Sequence, residues 1–317
     1  MELYNLGGVS WLESQSLYHA LALLGREGLI ICYPTSPYVC LGLHDDLEQE
    51  IDLEFCREQG IPLLRRETGG GVVYLDSNQI FFQLVLRRDN PVLPLRRNRF
   101  YQRFLKPAIS VYQRFGLPAG LKSPADIVVN GRKCSGNASG DIGQCTAYAG
   151  NILLDFDFAT MSRVLRVSGT AFREYLRSVM RDHMTTLADW IDELPGHSDL
   201  AGALVEGFKE EFGLLSPRLP DTELINLAGQ VGERLISQEW LNLPGRRSAE
   251  RRIKIAEGVY LMERVLERRE HLILVTKDGV IDKLNVVGRN EVNEEAPRGV
   301  NGFAGGVAEL PSSEQLG

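Results

Sequence analysis

Arg65-Arg66-Glu67-Thr68-Gly69-Gly70-Gly71-Val72-Val73-Tyr74-Leu75-Asp76 is the stretch on which the fold turns. Residues 61–65 before it, and 72–74 and 80–86 after it, are β-rich, so the three glycines lie between strands. Consecutive glycines cost a sheet much backbone entropy, and two arrangements justify them. One is a tight, bulged turn. The other is a ligand pressed against bare backbone, its anionic group facing free N–H groups. A flanking arginine suits the second, because guanidinium pairs with carboxylate or phosphate through two parallel hydrogen bonds. The spacing is neither a Walker loop nor a G-x-G-x-x-G turn opening a helix.

Upstream, Leu17, Ala20, Leu21 and Leu24 carry the spacing of an amphipathic helix over 12–24. Strands are expected at 29–33 and 38–43, joined by Pro34-Thr35-Ser36-Pro37, then a polar-faced helix over 47–59 ended by Gly60. Downstream, 97–116 reads as a longer helix. Residues 127–133 read as a hairpin, since Asn130-Gly131 suits the paired positive φ of a type I′ turn. A further strand pair is expected to include 147–154, and helices are expected at 158–166, 170–180 and 199–212. Hairpins mixed with helices, without strict βαβ alternation, imply an α+β fold on a mixed sheet. The texture changes near residue 240. The expected organisation is a large domain over 1–240, a small α/β accessory domain over 241–290 with strands at 251–261, 271–277 and 280–286, and a disordered tail over 291–317 rich in Gly, Glu, Pro and Ser.

The 317 residues are 44% hydrophobic, enough for one large core and a satellite. A net charge of −7 argues against a phosphate-backbone footprint, so nucleic acid is not an expected partner. Local basic clusters (Arg87–Arg88, Arg96–Arg97, residues 246–254) read as solvated faces. The five cysteines form no C-x-x-C pair and no metal-ligand spacing with the five histidines. Without a basic, apolar leader or a window of roughly 20 apolar residues, the expectation is a cytoplasmic monomer with reduced thiols and no membrane contact.

A second segment, Ala125-Asp126-Ile127-Val128-Val129-Asn130-Gly131-Arg132-Lys133-Cys134-Ser135-Gly136-Asn137-Ala138, places Lys133 just past the hairpin turn and before a run of small residues. Such a run lets a ligand lie close to the backbone beside the ammonium, although a lysine there is commonly just exposed. Together, the two segments resemble the lipoate-protein ligase A family of the biotin/lipoate ligase superfamily. RRETGGGVVYLD is similar to its R-R-x-[ST]-G-G-G-x-V-Y-H-D signature, and DIVVNGRKCSGNAS to its D-[IL]-x-x-x-G-x-K-[IV]-[SA]-G-[NST]-A segment. Weaker likeness extends over about residues 12–290. That resemblance implies ATP-dependent activation of lipoate or octanoate to acyl-AMP, then transfer to a lysine of a carrier protein, a lipoyl domain or an H-protein-like acceptor. It implies Lys133 at the activated carbonyl and Arg66 on the nucleotide phosphate. Thr68, Gly69, Gly70, Gly71, Val72, Val73, Tyr74, Gln79, Gly136, Asn137 and Ala138 would bind ATP and lipoate, and Asp126 would be a Mg2+ ligand.

The sequence departs from the signatures at four places. Leu75 replaces the histidine after Val-Tyr, Tyr148 and Ala149 replace paired histidines, and Ala125 replaces the asparagine before Asp126. Cys145 opens an alternative, because related octanoyl and lipoyl transferases use a cysteine thioester instead of ATP. Those transferases tend to lack the third glycine, here Gly71. Cys134 is expected to point to the face opposite Lys133. A third reading is a non-catalytic acyl-binding homologue; a biotin ligase is disfavoured by the lack of a G-R-G-R-x-G-R-like loop.

Overall fold

The computed structural model describes residues 1–93, 97–248, 250–265 and 271–287, and the chain divides into two compact units after Ser248. In the first unit the elements run β1 (Glu2–Val9), α1 (Glu13–Leu23), β2 (Gly28–Pro34), β3 (Tyr38–Leu41), α2 (Leu47–Glu50), α3 (Leu53–Glu58), β4 (Leu63–Arg65), β5 (Val73–Leu75) and β6 (Gln79–Arg87). Then come α4 (Arg97–Arg114), β7 (Ala119–Lys122), β8 (Asp126–Val129), β9 (Arg132–Lys133), β10 (Asn137–Ile142) and β11 (Cys145–Leu153). The unit closes with α5 (Phe158–Val164), α6 (Thr170–His183), α7 (His197–Phe212), β12 (Ser216–Pro217), α8 (Thr222–Ile236) and α9 (Gln238–Leu241).

The main sheet has the order β10-β11-β6-β2-β1-β12. Pairing is parallel between β2, β1 and β12 and antiparallel elsewhere, which makes it the mixed sheet of an α+β fold. Its centre is β6, whose sequence QIFFQLVLR is buried in all but its last residue. Alternate side chains feed two cores. Ile80, Phe82, Leu84 and Leu86 pack with Phe100, Phe104 and Leu105 of α4 and with Leu204 and Phe208 of α7. Phe81 and Val85 face Leu17, Tyr18 and Leu21 of α1 and Leu224 and Val231 of α8. Period-two alternation thus serves both faces of a strand covered by helices. Each fully buried Phe or Leu contributes about 1.5–3 kcal/mol, so this strand anchors the unit.

Two small sheets carry the segments singled out above. The order β4-β3-β5 brackets the glycine triplet, and β7-β8-β9 carries Asp126 and Lys133. Asn130 (φ 48) and Gly131 (φ 77) make the expected tight turn between β8 and β9.

Several elements differ from the expectation. The single helix over 47–59 is two short ones, α2 and α3, because Asp46 and Asp52 each accept a capping hydrogen bond, from the Gln49 and Phe55 amides. Between them Ile51 is extended and bridges Leu165. The sequence reading did not contain β1, β7 or α8; α8 buries Leu224, Ala228, Val231 and Leu235 and is capped by Asp221. In the second unit the described residues form an antiparallel sheet of four strands, β13 (Arg251–Ala256), β14 (Val259–Val265), β15 (His271–Lys277) and β16 (Val280–Val287), and no helix. The strand expected over 251–261 is a hairpin that turns at Glu257-Gly258. The tail over 291–317, and Arg96 of one basic cluster, lie outside the described residues.

Candidate active site

The loop from Arg65 to Val72 leaves β4 and enters β5, and Arg66 shapes it from within. Arg66 is 6% exposed and all three guanidinium nitrogens are engaged. Nε donates to the Gly69 carbonyl at 3.1 Å, and Nη2 to Gly69 at 2.7 Å and Gly71 at 2.9 Å. Nη1 donates to the Cys40 carbonyl at 3.1 Å and lies 3.3 Å from its Sγ. This is where the structure places the arginine expected on a nucleotide phosphate. Its donors are committed to carbonyls of the loop and of β3, whose orphaning inside the protein would cost about 1–3 kcal/mol apiece.

Close backbone approach explains the glycines at the loop's centre. Gly70 has φ +90, and a Cβ on Gly42 would lie 1.9 Å from the Gly70 carbonyl oxygen. Gly70 and Gly71 are exposed, and neither amide has a hydrogen-bond partner among the described residues. By contrast the Gly69 amide donates to Ser139 at 3.1 Å and the Thr68 carbonyl accepts from Leu43 at 3.1 Å. The loop base is therefore fixed, and its tip presents two free N–H groups of the kind that bind anions.

Elements that the sequence reading did not connect to the loop secure its base. Arg65, fully buried, donates from Nη1 to the carbonyls of Leu43 and Asp45 and from Nη2 to those of Leu241 and Leu243. The indole of Trp240 donates to the Arg65 carbonyl at 2.9 Å. His19 of α1 accepts from the Glu67 amide at 3.0 Å, and Arg234 of α8 pairs with the Glu67 carboxylate.

The other segment meets the loop directly, since the Ser139 that receives the Gly69 amide lies on β10, six residues beyond Lys133. Lys133 Nζ is 2.9 Å from Asp126 Oδ1, with side chains 17% and 6% exposed. The main chain of Lys133 is tied to the residues after α6, its carbonyl accepting from the Thr185 amide at 2.8 Å. A line of amides joins the segment to β5: the Gly136 amide donates to Asn151 Oδ1 at 2.6 Å, and Asn151 Nδ2 to Gln79 Oε1 at 2.7 Å. Gln79 Nε2 in turn donates to the Tyr74 carbonyl at 3.2 Å. Asn137 Nδ2 donates to the Ala125 carbonyl at 2.8 Å. Gln79 is fully buried, and Thr68, Val72 and Tyr74 are buried too, so these residues support the wall. Gly136, Asn137, Ala138 and Val73 are half-buried.

Both cysteines near these segments are packing residues. Cys134 is fully buried in the helix α4 core, on the face away from Lys133, and burial pushes its thiol up to about 12. Cys145 is also fully buried, and burial raises its pKa. It pairs with Ile142 at the end of the β10–β11 hairpin remote from the Asn137–Gly150 pair. The five residue steps from one pair to the other span about 17 Å. The structure does not bring Cys145 to Lys133. Leu75 and Tyr148, which stand where the family signatures have histidines, are core residues as well. No group of three or more His, Cys, Asp or Glu among the described residues could hold a metal ion.

A family model for the lipoyl protein ligase A/B catalytic domain matches residues 11–209. The chain belongs to that family. Among its curated relatives, lipoate-protein ligase LplJ of Bacillus subtilis is 25% identical over 168 residues, covering 53% of this chain and 49% of LplJ. Octanoyltransferase LipM of Kyrpidia tusciae is 27% identical over 227 residues, covering 64% of this chain and 82% of LipM. The match thus spans about half the length of the Bacillus ligase. In fold, the chain is similar to the bipartite lipoate protein ligase of Thermoplasma acidophilum, solved in a study of that ligase and its E2 lipoyl domain. The TM-score is 0.67 at 21% identity, over 78% of this chain and 98% of that one. The curated relatives are thus of both kinds, ligases and octanoyltransferases.

Proposed function

We propose that this chain is an ATP-dependent lipoate-protein ligase. The carrying observation is the meeting of the two segments: free amides at Gly70 and Gly71 on a braced loop, joined through Ser139 to the strand that follows Lys133 and its Asp126 partner. In the first step a carboxylate oxygen of lipoate or octanoate bonds to the α-phosphorus of ATP as the bond to pyrophosphate breaks. In the second, a lysine amine bonds to the acyl carbon as the bond to AMP breaks, and its proton passes to solvent. Both transition states gather negative charge on oxygen, so fixed N–H groups and an ammonium are the groups that accelerate them. Lys133 stabilises the acyl oxygen and the Gly70–Gly71 amides hold phosphate oxygens. The donor chemistry of Asp126 fits Mg2+ held jointly with phosphates, for which one carboxylate suffices; when bound, the ion would neutralise phosphate charge.

The acceptor in this reading is a lipoyl-carrier domain, the kind of partner studied with the Thermoplasma ligase. No helix among the described residues is long and apolar enough to cross a membrane. The octanoyltransferase relative keeps a thioester route in view, but the burial of Cys145 and its raised pKa work against that thiol as nucleophile.

Lipoate-dependent exchange of pyrophosphate into ATP tests the proposal. The expected result is exchange in the wild type and its loss in Lys133→Ala. Absence of exchange, with acyl transfer from a carrier protein that disappears in Cys145→Ser, would establish the transferase instead. Binding of acyl ligand with neither reaction would establish a non-catalytic homologue.

A further inference from the structure

Glu67 is the residue through which the rest of the unit reaches the glycine loop. Its amide donates to Nε2 of His19, a fully buried imidazole whose Nδ1 lies 2.7 Å from the Gln15 carbonyl. A ring nitrogen facing a carbonyl must carry a proton, and one facing an amide must offer a lone pair. The two neighbours therefore fix one neutral tautomer, protonated on Nδ1. Burial, together with the Arg234 and Arg66 charges, keeps the ring neutral, lowering its pKa to about 3. On the other side, the Glu67 carboxylate pairs with Arg234, whose guanidinium carbon sits 4.6 Å from the centre of the Trp240 ring. The Glu67 carbonyl and Thr68 lie against β10 so closely that a Cβ on Gly140 would come within 2.9 Å of both.

We propose that His19 and Arg234 are positioning residues for the site, holding Glu67 by its backbone and its side chain so that the Gly70 and Gly71 amides point where the phosphates must lie. Neither side chain touches substrate in this account; each acts through Glu67, three residues before Gly70. The inference rests on the ligase reading. It adds two residues from α1 and α8 that neither motif contains.

The test compares paired substitutions in pyrophosphate exchange. His19→Leu and Arg234→Leu should each raise the KM for ATP about tenfold, the worth of one hydrogen bond to a buried or charged group, with kcat within about twofold. His19→Gln, which keeps an acceptor, and Arg234→Lys, which keeps the charge, should recover most of the affinity. Arg234 is 39% exposed, so its variants are expected to fold even where the His19 variants lose stability. Unchanged KM in both leucine variants would overturn the proposal, as would equal loss in the leucine and conservative variants. If wild-type protein shows no exchange, the ligase reading fails, and amide hydrogen exchange decides the positioning role by itself. Residues 67–71 should exchange about tenfold faster in Arg234→Leu, and unchanged protection would overturn the proposal.

Discussion

The glycine loop and the Lys133 hairpin face one site, yet they are held in different ways. Lys133 sits two residues past a two-residue turn, and its ammonium pairs with Asp126 on the adjoining strand of the same hairpin. The loop is held from afar. Residues from α1, α8, α9 and β10 converge on three of its positions, Arg65, Glu67 and Gly69, and its own arginine closes it from inside. The hairpin is a local structure that, in the proposed ligase, carries the catalytic charge. The loop is a global structure whose part in that proposal is its own backbone.

Substitutions in each region should therefore fail differently. The largest effect is expected for Lys133→Ala, which should lower exchange activity by about a hundred- to a thousandfold, the range for losing one charge-stabilising donor. The thermal midpoint should fall as well, because the Asp126 carboxylate, 6% exposed, loses its cation; an unchanged midpoint would deny that the pair is a buried one. Gly42→Ala should lose activity by another route, through the fold. Its Cβ would meet the Gly70 carbonyl at 1.9 Å, so overlap should destabilise the unit by about 1–3 kcal/mol in denaturant titration, with activity lost through the displaced loop.

Acid titration sharpens the comparison further. His19 has a folded pKa of about 3 against 6.5 unfolded, so between those values the unfolded chain binds more protons. Stability should fall as pH drops below 6.5, by up to about 1.4 kcal/mol per pH unit from this group, until its folded pKa is reached. His19→Gln should show a shallower slope over that window, and an identical slope would deny the neutral buried ring. The smallest effect is expected for Cys145→Ser: no measurable change in exchange activity, and a loss of stability near 1 kcal/mol from placing a hydroxyl in the core.

Legibility followed the same division between local and global. The Asn130-Gly131 turn was plain because two adjacent residues specify it. The two strands around the glycines, the helix α4 and the strands β2, β6 and β11 of the central sheet were legible through period and turn chemistry. The loop's supports were not. His19 lies on a helix buried nearly all round, with Ser14, Gln15 and Ser16 inside as well, so its spacing resembles neither a surface face nor a ligand pair. Arg65 and Arg66 look alike in sequence, yet both point inward, one to the end of α9 and one into its own loop. Only the count of carbonyls each arginine satisfies reveals this. The split at Ile51 was missed because two aspartate caps six residues apart break a pattern whose hydrophobic spacing remains helical.

The Lys133–Asp126 pair also sets what the site will ignore. With its ammonium already matched to a carboxylate, Lys133 behaves like an ion-exchange bead loaded with its own counterion. A lone monovalent anion offers no more than Asp126 supplies and has little reason to displace it. In the proposed ligase, a ligand that offers an acyl oxygen while its phosphate engages the loop amides at the same moment can shift the exchange in its favour. Selectivity for such a two-point ligand over the small anions that crowd any cell would then begin before catalysis, with a carboxylate already in place.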